Sequence, residues 1–226
     1  AGAFAPFVTA RERAFALLPE AVPFETAATV PHSGLLAWQA LSAARVGAGE
    51  RLLVVGGGGC VGPFAIQLAK HLGAHVTAVD EGSRAQLMLD AGADEVLDLE
   101  RTEVTRGDER FDAVVDIAAR SGVLAFRRVL APRGRYVQIA RSISGFLAAA
   151  TLGPLVGGRR RMGVFPWRPS HREHLDLLAG LLASGALRPQ VDRCFGLSET
   201  PAAIEHLRSR RALGKVLILP EGDPAW

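Results

Sequence analysis

The sequence predicts an α/β protein built on a doubly wound parallel sheet, preceded by a short N-terminal β remnant. Three observations carry this reading. From Glu50 onward, short apolar runs alternate with amphipathic stretches, the pattern of parallel strands joined by crossover helices. One run, Arg51-Leu-Leu-Val-Val55, enters a glycine turn, Gly56-Gly-Gly-Gly-Cys-Val-Gly62, that leads straight into a helix pattern. A second run, His75-Val-Thr-Ala-Val79, ends on an acid, Asp80, eighteen residues beyond Gly62.

The first thirty residues stand outside the alternation. Gly2–Thr9 and Ala14–Leu17 read as two short strands around a charged turn, with Pro19-Glu-Ala-Val-Pro23 as a linker. Two strands do not make an independent domain, so they must pack on the main body, a partner chain or further protein. Ser33 reads as the N-cap of the next helix. Strands follow near 51–55, 75–79, 95–98, 112–116 and 134–140, with helices near 62–72, 83–91, 121–130 and 172–183. Phe64, Ile66, Leu68, Ala69 and Leu72 place apolar groups on one side of the first of these helices. Gly92 and Gly185 end helices, and the charged stretch 99–111 is a connection. Residues 143–157 are apolar with several glycines and read as a helix leaning over the crevice. Arg161–Phe165 reads as a further strand at the sheet edge. A helix near 198–209, started at Ser198, and a last strand at Lys215–Leu219 close the pattern.

The glycine turn carries the chemistry. Gly57, Gly59 and Gly62 have the G-x-G-x-x-G spacing of a Rossmann dinucleotide turn: a tight bend, a close approach to pyrophosphate, and close packing of helix on strand. The phosphates would lie at the helix N-terminus near Val61, where backbone N–H groups and the helix dipole favour negative charge. Pro63 suits a first turn that needs no donor. Gly56, Gly57, Gly59, Cys60, Val61 and Gly62 are therefore the expected pyrophosphate contacts, and Asp80 the acceptor for the adenosine ribose. Asp80 and Glu81 favour NAD(H); Arg84, a helical step away, keeps NADP(H) open. Asp116, at the end of the fourth strand, is expected to face the crevice where ligands bind in open sheets.

Composition narrows the rest. The chain has 226 residues, 49% of them hydrophobic, and a net charge of +3, enough for a substantial core. That mild excess of arginine does not argue for nucleic acid, and no apolar run approaches a membrane span. Two cysteines, Cys60 and Cys194, are too few for a disulfide framework and point to a reducing compartment, with a cytoplasmic location expected. They also cannot build a thiolate zinc site, so no metal is expected. His171 and His174 read as a solvated helix start or as two ligands on one helix face. Gly157-Gly-Arg-Arg-Arg161 reads as a solvated edge or as an anion-binding run. His32 is the best acid–base candidate, with a capping or packing role as the other reading. Tyr136, the only tyrosine, reads as core with its hydroxyl paired.

Gly2-Ala-Phe-Ala, Leu18-Pro-Glu, Phe24-Glu-Thr-Ala-Ala28, Gly34-Leu-Leu-Ala-Trp-Gln-Ala-Leu41, the turn at 56–62, Ala65-Ile-Gln-Leu-Ala-Lys70, Gly92-Ala-Asp94 and Gly214-Lys-Val216 run in order along the chain. In this series the sequence resembles the medium-chain dehydrogenases/reductases, and within them the zinc-free quinone oxidoreductase, or zeta-crystallin-like, branch. The resemblance implies that residues 1–30 are the remnant and linker of a barrel-like substrate domain and 31–214 the dinucleotide domain. Residues 215–226 would then hold a final strand packing on the remnant strands. It implies nicotinamide contacts from Asp116, Ala118, Ile139 and Ala140, and a homodimer through the edge strand near 161–165. Arg120 and Arg141 stand where the family has small glycine-containing turns, so they swing to solvent, grip an anion or close the nicotinamide end. The implied activity is an NAD(P)H-dependent reductase moving hydride to a small-molecule quinone or conjugated carbonyl. A non-redox cyclase, isomerase or dehydratase using His32, Arg120 and Arg141, or a non-catalytic dinucleotide-binding subunit, are the alternatives.

Overall fold

The computed structural model describes residues 9–139, 143–165, 167–168, 172–209 and 211–219. In chain order its elements begin with α1 (Phe24–Ala28), α2 (Val30–Ala43), β1 (Arg51–Val55), α3 (Gly62–His71), β2 (His75–Asp80), α4 (Ala85–Asp90) and β3 (Glu95–Asp98). They continue with β4 (Phe111–Asp116), β5 (Leu130–Gln138), α5 (Ile143–Gly157), β6 (Arg161–Val164), α6 (Arg172–Ala183), β7 (Val191–Gly196), α7 (Thr200–Arg208) and β8 (Lys215–Leu219). The described chain forms two compact units, one from residues up to Leu35 and beyond Arg168, the other from Leu36 to Arg168.

The second unit is the doubly wound sheet. Its six parallel strands lie in the order β3-β2-β1-β4-β5-β6. Chain order reverses between β1 and β4, which opens a crevice beyond the carboxyl ends of those two strands. The central strands β1, β2 and β4 are largely apolar runs because both of their faces are covered. Leu53, Val55, Val114 and Tyr136 join Val123, Phe126 and Val129 of the β4–β5 connection and Ala149 of α5 in one cluster. Leu52 and Val54 alternate to the other face, equally buried, and α3 lies against β1 and β2.

Two expectations in this unit need correction. The stretch 121–130 is not a helix: only a 3₁₀ turn, Ala125–Arg127, forms, between Gly122 and the early start of β5. β5 begins at Leu130, ahead of the expected 134, because the β4–β5 register shifts: Phe111 pairs with Leu130, but Ala113 pairs with Arg135. Four residues, Ala131-Pro-Arg-Gly134, stand opposite the single Asp112 and form a bulge that tolerates a proline lacking a ladder donor. β6 is the terminal strand of the sheet order, as expected.

The first unit differs more from the expectations. Ala14–Leu17 forms no strand: a 3₁₀ turn, Glu12–Ala14, precedes extended chain at Phe15, with no ladder partner among the described residues. The strand expected at Gly2–Thr9 lies, except for Thr9, outside the described residues. β8 pairs in parallel with β7, a strand not separately foreseen. Ser33 is not an N-cap. Pro31, with its fixed φ and missing N–H, suits a first helical turn, so α2 starts at Val30 and Ser33 falls inside it. There Ser33 is buried and its Oγ accepts a hydrogen bond from Lys215 Nζ at 2.9 Å. His206 of α7 and Asp192 of β7 meet at 2.6 Å, and Asp192 also accepts the Leu213 N–H at 3.0 Å. Burial works to raise the Asp192 pKa, but Leu213, His206 and Arg193 together hold it below the usual carboxylate range.

Candidate functional site

The site is built first from backbone. After Val55 the chain turns through Gly56 at φ +87°, a left-handed conformation that suits glycine. A Cβ at Gly56 would stand 3.0 Å from the Ala118 nitrogen, so the turn and the loop after β4 approach each other closely. The N–H groups of Gly56 and Gly57 both donate to the Val79 carbonyl, at 2.8 and 3.2 Å, which ties the turn to the end of β2. At its far end, a Cβ on Gly62 would lie 2.1 Å from the Gly57 oxygen, so α3 starts directly against the turn. No side chain caps α3 at Val61, and Pro63 occupies its first turn. This leaves the helix N-terminus to its dipole and its backbone donors, the arrangement that suits a pyrophosphate.

Charged side chains surround that cradle. Asp80 is buried; its Oδ2 accepts the Gly58 N–H at 2.9 Å and its Oδ1 the Glu81 N–H at 2.8 Å. Each oxygen keeps a second acceptor position, so a ribose hydroxyl remains compatible with both bonds. Arg84 Nη1 donates to the Gly58 carbonyl at 2.7 Å, holding the turn from its other side. Arg120 Nη2 lies 3.2 Å from Glu81 Oε1. Glu81 follows β2 and Arg120 follows β4, with β1 between them in the sheet, so this ion pair spans the carboxyl end of β1.

Beneath the loop sits a buried polar pair. Asp116 is fully buried, and its Oδ2 accepts the Tyr136 hydroxyl at 2.8 Å while its Oδ1 accepts the Ala119 N–H at 2.8 Å. Burial raises the Asp116 pKa and outweighs the opposing pull of Ala119, Tyr136 and the Ala118 N–H. Burial and the adjacent carboxylate push Tyr136 far upward, so its hydroxyl keeps its proton as a donor. The bond to Ala119 holds that residue at φ +47°, an uncommon conformation for alanine. Asp116 thus shapes the loop from inside and does not present its carboxylate to the crevice surface.

Among the remaining expected residues, Ile139 donates its N–H to the Asp116 carbonyl at 2.9 Å, Cys60 is exposed, and Val61 is buried. Ala140, Arg141 and His171 lie outside the described residues. His32 lies exposed on α2 in the first unit, and His174 is partly exposed on α6. Sequence reasoning gave Gly58 and Ala119 no role of their own, named Glu81 only for the choice of nucleotide, and read Tyr136 as core with its hydroxyl paired without naming Asp116 as the partner. Tyr136 reaches Asp116 as a diagonal neighbour, because Tyr136 pairs with Val114 and Gln138 with Asp116. That proximity depends on the register beyond the bulge, for which the chain carries no local signal.

A family model described as a zinc-binding dehydrogenase matches residues 91–218, more than half of the chain. The chain belongs to the medium-chain dehydrogenases/reductases. It is 32% identical over 238 residues to the trans-enoyl reductase pgmF of Aspergillus terreus, covering 97% of this chain and 65% of that protein. It is 28% identical over 225 residues to a 2-methylene-furan-3-one reductase of Solanum lycopersicum, covering 97% of this chain and 53% of the relative. The quinone oxidoreductase from Coxiella burnetii superposes with a TM-score of 0.74 at 28% identity, over 88% of this chain and 62% of its own. The chain thus spans less than two thirds of the length of these relatives. Among the described residues no group of three or more His, Cys, Asp or Glu is placed to hold a metal. Both cysteines stand free, so this donor set does not fit the zinc in the family's description.

Proposed function

We propose that this chain carries the dinucleotide-binding part of an NAD(P)H-dependent reductase acting on a conjugated carbonyl or a quinone. The observation that carries the reading is the backbone cradle from Gly56 to Gly62, whose close approaches leave no room for side chains at either end. Relatives named as enoyl, enone and quinone reductases support the acceptor class. When bound, the nicotinamide supplies the hydride, and the protein has only to hold, orient and shield it.

Each remaining task falls to residues of this chain. The Gly56–Gly62 backbone and the α3 N-terminus receive the pyrophosphate, and Asp80 accepts from the adenosine ribose through its second acceptor positions. Asp116, fixed by Tyr136, holds Ala118 and Ala119 against the turn, where they form one wall for the nicotinamide half. Asp80 and Glu81 disfavour a 2′-phosphate, which supports NAD(H). Arg84 and Arg120 are both already engaged near the ribose end, so NADP(H) would have to recruit one of them. A second copy pairing along β6 would cover that terminal strand and the apolar side chains of Phe146, Leu147 and Leu155 that α5 exposes.

Calorimetric titration of the chain with NADH and NADPH, repeated with Asp80→Ala, tests the reading. Binding that weakens about tenfold in the variant, the worth of one charged hydrogen bond, is expected. A folded chain that binds neither nucleotide would overturn it. Screening an enone and a quinone for nucleotide oxidation then assigns the acceptor.

A further inference from the structure

We propose that a second anion site lies at the opposite end of the sheet: an arginine cleft that takes a small phosphate-bearing molecule. Arg110, Arg127, Arg128 and Arg160, with Leu124, line a concavity of about 450 Å³. The sheet brings them together. Arg110 immediately precedes β4, Arg127 and Arg128 precede β5, and Arg160 precedes β6, three adjacent parallel strands that start at one end. The glycine turn follows the other end of β1, so a strand's length, roughly 20 Å, separates the two places.

The positive charge in the cleft is not neutralised from within. Among the described residues, Asp108 is the only carboxylate within ion-pair distance of any of the four, 3.9 Å from Arg128, and its side chain is 99% exposed. Exposed pairs at such distances contribute little. Glu109, the immediate neighbour of Arg110, is engaged instead by Arg51 at 3.0 Å.

Two of the guanidinium groups are held in place by neutral partners. Arg110 Nη1 donates to the carbonyls of Gly107, Asp108 and Glu109 at 3.3, 2.6 and 2.9 Å. Arg160 donates from Nε and Nη2 to the Leu130 carbonyl, both at 3.2 Å. Carbonyls fix these side chains without cancelling their charge, and each guanidinium has five N–H donors to distribute. Less side-chain entropy is then lost when a ligand arrives. Arg127 and Arg128 are exposed and complete the cleft as arms in solvent.

Phosphate is the anion this geometry favours. Planar guanidinium forks match a tetrahedral dianion with several acceptor oxygens, and four of them around one hollow exceed what a single carboxylate needs. A concave site suits a small molecule better than the convex surface of an acidic protein. Of the two readings of the Arg159–Arg161 run, Arg160 supports the anion-binding one.

The test is calorimetric titration of the chain with inorganic pyrophosphate at low salt, with and without saturating NADH. Wild type is expected to bind with a dissociation constant of ~0.1 mM in either condition, and to melt at higher temperature with the ligand present. Arg127→Ser/Arg128→Ser should weaken binding at least about tenfold, with circular dichroism and NADH affinity unchanged. Arg127→Lys/Arg128→Lys keeps the charge without the forks and should fall between; it also serves if the serine variant does not fold. Parallel titrations with inorganic phosphate and glycerol 3-phosphate separate free phosphate from a phosphomonoester as the source. The proposal is overturned by absent binding, by binding unchanged in both double variants, or by loss of binding when NADH is present. Equal affinity for a polyglutamate peptide would also overturn it, since that outcome describes a surface for acidic macromolecules.

Discussion

The two ends of the sheet, each proposed to receive an anion, are built from opposite materials. At the carboxyl end the cradle is main chain: Gly56 and Gly62 are pressed against Ala118 and Gly57, and the nearby acids Asp80 and Asp116 are spent on backbone N–H groups. At the amino end the cleft is made of arginine side chains reaching from three separate connections. A backbone site has no slack, because each contact is also part of the fold. A side-chain site can lose its ligand and keep its structure.

Gly62→Ala should therefore have the largest effect. Its Cβ would meet the Gly57 oxygen at 2.1 Å, and the turn cannot give way without straining the Gly56 and Gly57 bonds to Val79. Overpacking of this kind costs about 3 kcal/mol. In a chain of this size that lowers the melting temperature by roughly 6–12 °C, readable by thermal circular dichroism. Gly59→Ala is the control: its Cβ finds only the Gly56 oxygen, at 3.5 Å, an ordinary contact. It should leave stability within about 1 kcal/mol while weakening nucleotide binding. Equal melting temperatures for the two variants would mean that the turn yields, and that the contrast with the arginine cleft is misplaced.

Next in size is the buried pair behind the loop. Asp116→Ala leaves the Tyr136 hydroxyl and the Ala119 N–H without their acceptor, a loss of about 2 kcal/mol once relief of the buried charge is counted. Urea denaturation measures it. Asp116 also carries a pH signature of definite sign. Its folded pKa is raised, chiefly by burial, so its contribution is fully present below the unfolded value and is lost as pH rises through the folded one. Asp94 has the opposite sign. Burial pushes its pKa up, but the Lys70 ammonium, the Val76 N–H and His75 bring it below the usual value, so its contribution is lost on acidification. Because the two run against each other, the informative quantity is the difference between wild type and Asp116→Asn. Wild type should lose stability relative to the variant as pH rises from about 4 toward neutrality. Tyr136→Phe removes one donor to the carboxylate and should move that loss to higher pH.

The same contrast explains what the sequence made legible. The glycine turn could be read because its residues are consecutive and the close approaches at its two ends, Gly56 and Gly62, are local, so its spacing and the flanking runs mark it. Strands β1 and β2 were found because their burial on both faces writes a nearly continuous apolar run. Ala14–Leu17 misled because alternation reports extended chain, not the partner strand that makes a ladder, and at Phe15 the chain is indeed extended. β8 was found as a strand, but its partner β7 depends on tertiary pairing that neither run encodes. The Asp116–Tyr136 bond and the arginine cleft escaped for one reason. Asp116 and Tyr136 lie 20 positions apart and the arginines come from three separate connections, and only the register of β4 with β5 and the common start of β4, β5 and β6 brings them together.

The smallest effect on stability should come from the Glu81–Arg120 pair, and there the two readouts separate. Its side chains are 38% and 52% exposed, so a double-mutant cycle should return about 0.5 kcal/mol or less, falling further with added salt. Yet the pair spans the carboxyl end of β1, beside Asp80 and above the turn, where a dinucleotide's ribose would approach. Arg120→Ala frees Glu81 to repel a 2′-phosphate and should shift preference toward NADH. Glu81→Gln releases Arg120 and should shift it toward NADPH. The ratio of the two affinities, measured by titration, should thus move in opposite directions in variants that melt together. If the ratio stays constant in both, the ion pair is only a surface contact, and the choice of nucleotide rests on Asp80 and Arg84.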